Sequence, residues 1–354
     1  MNAKLILIPI FLIGLCMVQS YDNIENRINF GLPASSYNYE PNPKDYGSIV
    51  TTKPETFPRA RYFNLEYGNN GYNNEVSTCG YRNKNGVLRY KFKKVSNNEA
   101  EFGEFPWMVA ILQKMIINGK VQRQLKCGGS LIARNVVLTA AHCVNATQVL
   151  HLEVRAGDWE TYSNAEPYPY RERQVVEIIK HENFNADNLK NDIALLFLES
   201  EFDEAPHIKE VCLPPVNTNF DMSRCIASGW GMKRFGSEKY PKIMKKIDLK
   251  VVPKAKCQYD LRQTRLGQSF KLHSSFMCAG GEFGKDTCTG DGGSPLVCPM
   301  ASDPDRYYQV GIVSWGIGCG DKNVPGVYAN IPHLRSWIDE KLSDKEINAN
   351  SFTP

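Results

Sequence analysis

The stretch Asp286-Thr287-Cys288-Thr289-Gly290-Asp291-Gly292-Gly293-Ser294-Pro295-Leu296-Val297-Cys298 decides how this 354-residue chain is read. At its centre stands Gly292, which has no side chain and so can neither attack a carbonyl nor form an acyl-enzyme. A hydroxyl appears two residues later, at Ser294. Two cysteines, Cys288 and Cys298, lie within the stretch, and the count of cysteines is the next clue.

The chain has eleven cysteines. Cys16 falls in residues 1–20, which read as a secretory signal: Lys4, an apolar run from Leu5 to Val18, then the small Ser20 as cleavage position. Ten cysteines remain, and an even number in a secreted chain implies disulfides. Ten allow on the order of nine hundred pairings, so spacing alone does not choose among them. Metal spacing is missing, with no Cys-x-x-Cys and no His-x-x-x-His, and no metal or cofactor is expected. Removing Lys4 takes the formal charge from +4 to +3, too little to argue for nucleic acid or a membrane surface. No other apolar run approaches the ~18 residues that span a bilayer. The sequon Asn145-Ala146-Thr147 marks Asn145 as a glycosylation candidate on the surface.

Residues 21–78 contain no cysteine and are rich in Asn, Tyr, Pro and Gly, without a sustained period of 2 or 3.6. They read as a flexible leader. Residues 79–98 form a connecting segment with Cys79, residues 99–345 the folded domain, and residues 346–354 a tail. From Glu104 onward short apolar runs alternate with turns, the texture of an all-β protein. Trp107 to Ile116, Asn118-Gly119 and Val121 to Leu125 read as a hairpin with a primed turn. Val175–Ile179, Ile193–Leu198, Ile247–Val252 and Tyr308–Ser314 are further strand candidates. Leu334, Trp337, Ile338 and Leu342 share one face of a C-terminal helix, which Pro332 starts well.

Three segments in order carry a resemblance. Leu138-Thr139-Ala140-Ala141-His142-Cys143 is similar to the histidine motif of chymotrypsin-like serine proteases, Asn191-Asp192-Ile193-Ala194-Leu195-Leu196 to their aspartate motif, and the Gly292 loop to their nucleophile motif, Gly-Asp-Ser-Gly-Gly-Pro. Cys127-Gly128-Gly129-Ser130-Leu131 and Ser314-Trp315-Gly316 agree with them. The resemblance covers about Glu99 to Leu342 and implies two packed six-stranded antiparallel β-barrels with a cleft between them. It assigns His142 as base and Asp192 as the group that orients it, with Gly292 in the nucleophile's place. Losing the nucleophile of such a triad costs about a million-fold in turnover. Ser294 is the alternative nucleophile, set aside because misplacement by about 1 Å already costs ~100-fold. It is expected to hydrogen-bond locally instead.

The same resemblance places Asp286 at the base of a pocket for basic side chains, kept open by Gly316 and Gly326, and gives Gly290 and Gly292 the oxyanion-type N–H groups. It implies the bridges Cys127–Cys143, Cys225–Cys298, Cys257–Cys278 and Cys288–Cys319, with Cys79–Cys212 tethering the leader across a cleavage in Arg89–Lys94. Loss of that tether is expected to cost little stability. No Ile-Val start follows those basic residues, although active members begin so and pair the new amino group with the aspartate matching Asp291. A narrower resemblance, carried by Gly103 to Leu112, Val154 to Thr161 and Gly290 to Pro295, is to the arthropod non-catalytic homologues of the masquerade-like and prophenoloxidase-activating-factor group. It implies a secreted binding cofactor whose partner is a protease, a zymogen or prophenoloxidase. An active endopeptidase using Ser294 and an adhesion or decoy module are the alternatives.

Overall fold

The computed structural model describes residues 79–87, 98–161, 166–231, 241–284, 287, 291–318 and 320–354. The expected signal segment and leader lie outside these residues, as does the basic stretch Arg89–Lys94.

The hairpin forms as its turn residues require. β1 (Met108–Ile117) pairs antiparallel with β2 (Lys120–Ala133), Ile117 facing Lys120. Asn118 and Gly119 take φ of 52° and 72°, the two positive values of a type I′ turn. β3 (Val136–Thr139), β4 (Leu152–Ala156), β5 (Arg171–Lys180) and β6 (Ala194–Leu198) complete a closed barrel in the order β1-β2-β3-β6-β5-β4. The second barrel uses β7 (Arg224–Gly229), β8 (Lys245–Val252), β9 (Phe276–Gly280), β10 (Pro295–Pro299), β11 (Tyr307–Trp315) and β12 (Pro325–Asn330), in the order β10-β11-β12-β9-β8-β7. Closure leaves neither sheet an open edge, which removes the usual template for strand addition.

The first barrel is filled by Val109, Ile111, Leu131, Leu138, Leu152, Val154 and Leu195, all essentially inaccessible. Among the described residues three α-helices complete the fold: α1 (Ala141–Val144), α2 (Lys254–Arg262) and α3 (Ile331–Ser343). α3 buries Leu334, Trp337, Ile338 and Leu342, the face expected from their spacing, and carries proline in its first turn. The tail is held as well, for Phe352 is buried and its carbonyl accepts from the Leu213 N–H at 2.8 Å.

Among the described residues four disulfides are formed: Cys79–Cys212, Cys127–Cys143, Cys225–Cys298 and Cys257–Cys278. Each contributes about 3 to 5 kcal/mol in the chain-entropy account. The fifth expected pair, Cys288–Cys319, lies outside the described residues. The segment 79–87 is more than a leash. Gly80 donates to the Glu210 carbonyl and its own carbonyl accepts from Tyr307 N–H, both at 2.8 Å, and Val87 N–H bonds the Phe102 carbonyl at 2.9 Å. Arg82 reaches the wholly buried carboxylate of Glu104 at 2.5 Å, with Lys246 Nζ on the same carboxylate at 2.7 Å. The guanidinium also donates to Tyr307 OH at 3.0 Å and lies 5.0 Å from the Phe105 ring centre.

Two cations from distant segments thus compensate one buried charge. Arg82→Ala should destabilise the domain by about 3 kcal/mol, since half of that compensation is lost. Urea denaturation checks this, and a change under about 0.5 kcal/mol, the size of a surface effect, would contradict it.

Candidate functional site

β3 ends at Thr139, whose hydroxyl donates to the Gly128 carbonyl at 2.9 Å, and the chain turns directly into α1. That turn carries His142 to the boundary between the barrels. Asp192 lies just before β6, so its segment runs beside β3 in the same barrel. Its side chain is fully buried. A buried carboxylate is costly unless its oxygens are satisfied, and here they are. Oδ1 accepts the His142 backbone N–H at 2.8 Å. Oδ2 accepts from His142 Nδ1 at 2.7 Å and from Ser314 Oγ, on β11 of the other barrel, at 2.6 Å. With Nδ1 as donor, Nε2 presents its lone pair, the tautomer a general base needs.

What Nε2 faces is Gly292. A Cβ built on that residue would lie 2.9 Å from Nε2 and 3.7 Å from Cys127 Sγ. The imidazole has come into the space where a nucleophile's side chain would stand. Next to it, Gly293 has φ of 80°, and a Cβ there would fall 2.4 Å from the Gly128 carbonyl oxygen, so only glycine fits. The loop is fixed by Gly128 N–H on the Gly292 carbonyl and by Gly293 N–H on that of Val313, both at 2.9 Å. Asp291 Oδ1 accepts from Gly231 N–H at 2.8 Å.

Ser294 is 1 % exposed. Its Oγ makes no hydrogen bond, contrary to the expected local bond. It is wedged against the backbones of Gly128 and Gly229, where added Cβ atoms would lie 2.1 and 3.0 Å from it. Among the described residues of this loop, His142 therefore has no hydroxyl within hydrogen-bonding reach. The sulfurs of Cys127 and Cys143 lie with His142 in one group, but they are bonded to each other and offer no thiolate to a metal.

Gly316 follows the Trp315–Val327 pair and Gly326 precedes it, so both stand at one end of the β11–β12 ladder. Asp286 and Gly290 lie outside the described residues. Beside Asp286, Thr287 Oγ1 is 3.0 Å from the buried Tyr328 hydroxyl. Asn145 is exposed and lies just after α1, its Oδ1 accepting from Lys180 Nζ at 2.9 Å. Ser314 is the residue that motif reading missed as a participant, though it was visible in Ser314-Trp315-Gly316.

A model of the trypsin family matches residues 94–338. The chain is 50% identical over 282 residues to phenoloxidase-activating factor 2 of Galleria mellonella, covering 78% of this chain and 92% of that protein. It is 39% identical over 274 residues to the inactive CLIP domain-containing serine protease A28 of Anopheles gambiae, covering 76% and 69%. Trypsin alpha of Drosophila erecta is 32% identical over 244 residues, covering 69% and 85%.

Gly292→Ser should not by itself create measurable hydrolysis of arginyl amides. The new Cβ pushes the ring, and the displacement costs on the order of 1 kcal/mol. Amidase assays beside thermal melts check this; turnover at trypsin-like rates with an unchanged melting temperature would contradict it.

Proposed function

The chain belongs to the trypsin family, and from that premise we propose that it is a secreted, catalytically inactive homologue acting as a protein-binding cofactor in an extracellular proteolytic cascade. Its place is prophenoloxidase activation, with a protease, a zymogen or prophenoloxidase as partner. The observation that carries the reading is Gly292 before an otherwise complete base. His142 and Asp192 keep the arrangement that proton transfer demands, yet the proton has no hydroxyl to come from. The likeness to phenoloxidase-activating factor 2 and to a relative named inactive supports the assignment. The alternative through Ser294 has geometry against it, because a buried hydroxyl wedged between glycine backbones cannot meet a substrate carbonyl.

A binding role uses what remains. Asp286, with Gly316 and Gly326, would accept a basic side chain, since a carboxylate at the base of such a pocket needs a cation. Retention of the Cys79 segment after any cut in 88–94 would keep the two pieces one unit, as the Cys79–Cys212 bond spans that stretch.

The test is reconstitution. Purified protein added to prophenoloxidase and a separate active protease should raise phenoloxidase activity several-fold over that protease alone. Without the protease it should leave prophenoloxidase intact on a gel. Cleavage by the protein alone, or no effect on the coupled reaction, would contradict the proposal.

A further inference from the structure

Among the described residues one cluster brings three metal-ligating side chains together: Cys127, His142 and Cys143, whose ligand atoms all lie within 4.8 Å of one another. Cys127 stands on β2, while His142 and Cys143 are neighbours in α1. Bonded as a disulfide, the two sulfurs offer a metal nothing. Reduced, they become two thiols beside one imidazole nitrogen.

The distances suit a tetrahedral zinc ion. Zinc takes thiolate sulfur at about 2.3 Å and imidazole nitrogen at about 2.1 Å, which sets nitrogen and sulfur roughly 3.6 Å apart on one tetrahedron. His142 Nε2 and Cys143 Sγ lie 3.6 Å apart. The two sulfurs must separate to about 3.8 Å. Rotation about the Cα–Cβ bonds supplies this with the Cα atoms where they are, 6.0 Å apart.

The imidazole is already prepared as a ligand. Its Nδ1 donates to Asp192 Oδ2 at 2.7 Å, so Nε2 carries the lone pair. A carboxylate behind the ring is the outer-shell partner that zinc-bound histidines commonly have. The His142 backbone N–H on Oδ1 and Ser314 Oγ on Oδ2 fix that carboxylate in turn. Gly292 makes the room. A Cβ there would lie 2.9 Å from Nε2 and 3.7 Å from Cys127 Sγ, inside the space that an ion bound to both atoms would fill. Any side chain at 292 competes with the ion, and glycine does not.

We propose that Cys127, Cys143 and His142 form a redox-gated zinc site, closed while the cysteines are bridged and open when a dithiol reduces them. The dithiol gives the bridge two electrons and two protons and closes into its own disulfide, leaving Cys127 and Cys143 as thiols. Zn²⁺ then displaces both thiol protons to solvent and takes the Nε2 lone pair, so that two Zn–S bonds and one Zn–N bond form. The fourth position faces Gly292 and takes water or an outside donor, as in other sites with three protein ligands. Because zinc binds only the reduced form, it draws the pair toward reduction. The absence of a side chain at 292 thus leaves the histidine free to hold a metal.

Differential alkylation of the full chain tests this. The protein is reduced with dithiothreitol while circular dichroism follows the fold, and the reagent is removed anaerobically. Iodoacetamide is then added with or without equimolar Zn²⁺, and each cysteine is mapped by mass spectrometry. Zinc should slow alkylation of Cys127 and Cys143 by about tenfold or more, because the metal holds the thiolates, and should leave any other reduced cysteine unprotected. Gly292→Ala, whose methyl enters the ion's space, should lose the protection while the pair stays reducible. His142→Ala should weaken zinc binding by at least the ~10- to 100-fold that loss of an outer-shell partner costs. The proposal falls if the Cys127–Cys143 bridge resists the dithiol until the domain unfolds, if zinc fails to protect the two cysteines, or if either variant is protected as well as wild type.

Discussion

The carboxylate of Asp192 is the point on which both barrels depend. It is buried without a countercharge of fixed sign, and it is tolerable there only because three donors converge on two oxygens. Two of those donors belong to His142 in the first barrel, and the third, Ser314, belongs to the second. Removing the Ser314 hydroxyl or the His142 ring leaves Oδ2 one donor short in a buried site, at a cost of about 1 kcal/mol or more. The array therefore couples the barrels, and this gives it a structural reason to persist whether or not chemistry occurs.

That distinction separates scaffold from function at Gly292. The hydrogen bonds that orient His142 all lie on the Asp192 side, and none depends on what stands at residue 292. A glycine there leaves those bonds in place, and the ring stands 2.9 Å from where a Cβ would be. Gly293 has no such latitude, because the Gly128 carbonyl and Thr139 hydroxyl press on it. One glycine in the loop leaves open space before the histidine; its neighbour is a demand of the backbone.

Much of the architecture was legible where local chemistry is decisive. Asn118-Gly119 announced its turn because few residues accept positive φ twice in succession, and α3 announced itself through four apolar residues on one face. β3, β4, β7, β9, β10 and β12 did not, since strands of four to six residues are too short to establish a period of their own and are defined by the partners they pair with. The resemblance supplied them together with the barrels and the four bridges now formed. Two features were beyond motif reading. Ser294 lies against glycine backbones from two strands, which no local pattern reveals. Likewise, Arg82 finds Glu104 and Tyr307 across the fold, so a segment that reads as a linker is part of the domain.

The central claim is that a properly oriented base stands without a nucleophile. Intact-mass spectrometry after treatment with a phosphonofluoridate tests it most directly, because the reagent requires an activated hydroxyl rather than any particular substrate. The account predicts no adduct on the folded protein, with an active trypsin labelled stoichiometrically alongside. A stoichiometric adduct that disappears in Ser294→Ala would contradict it.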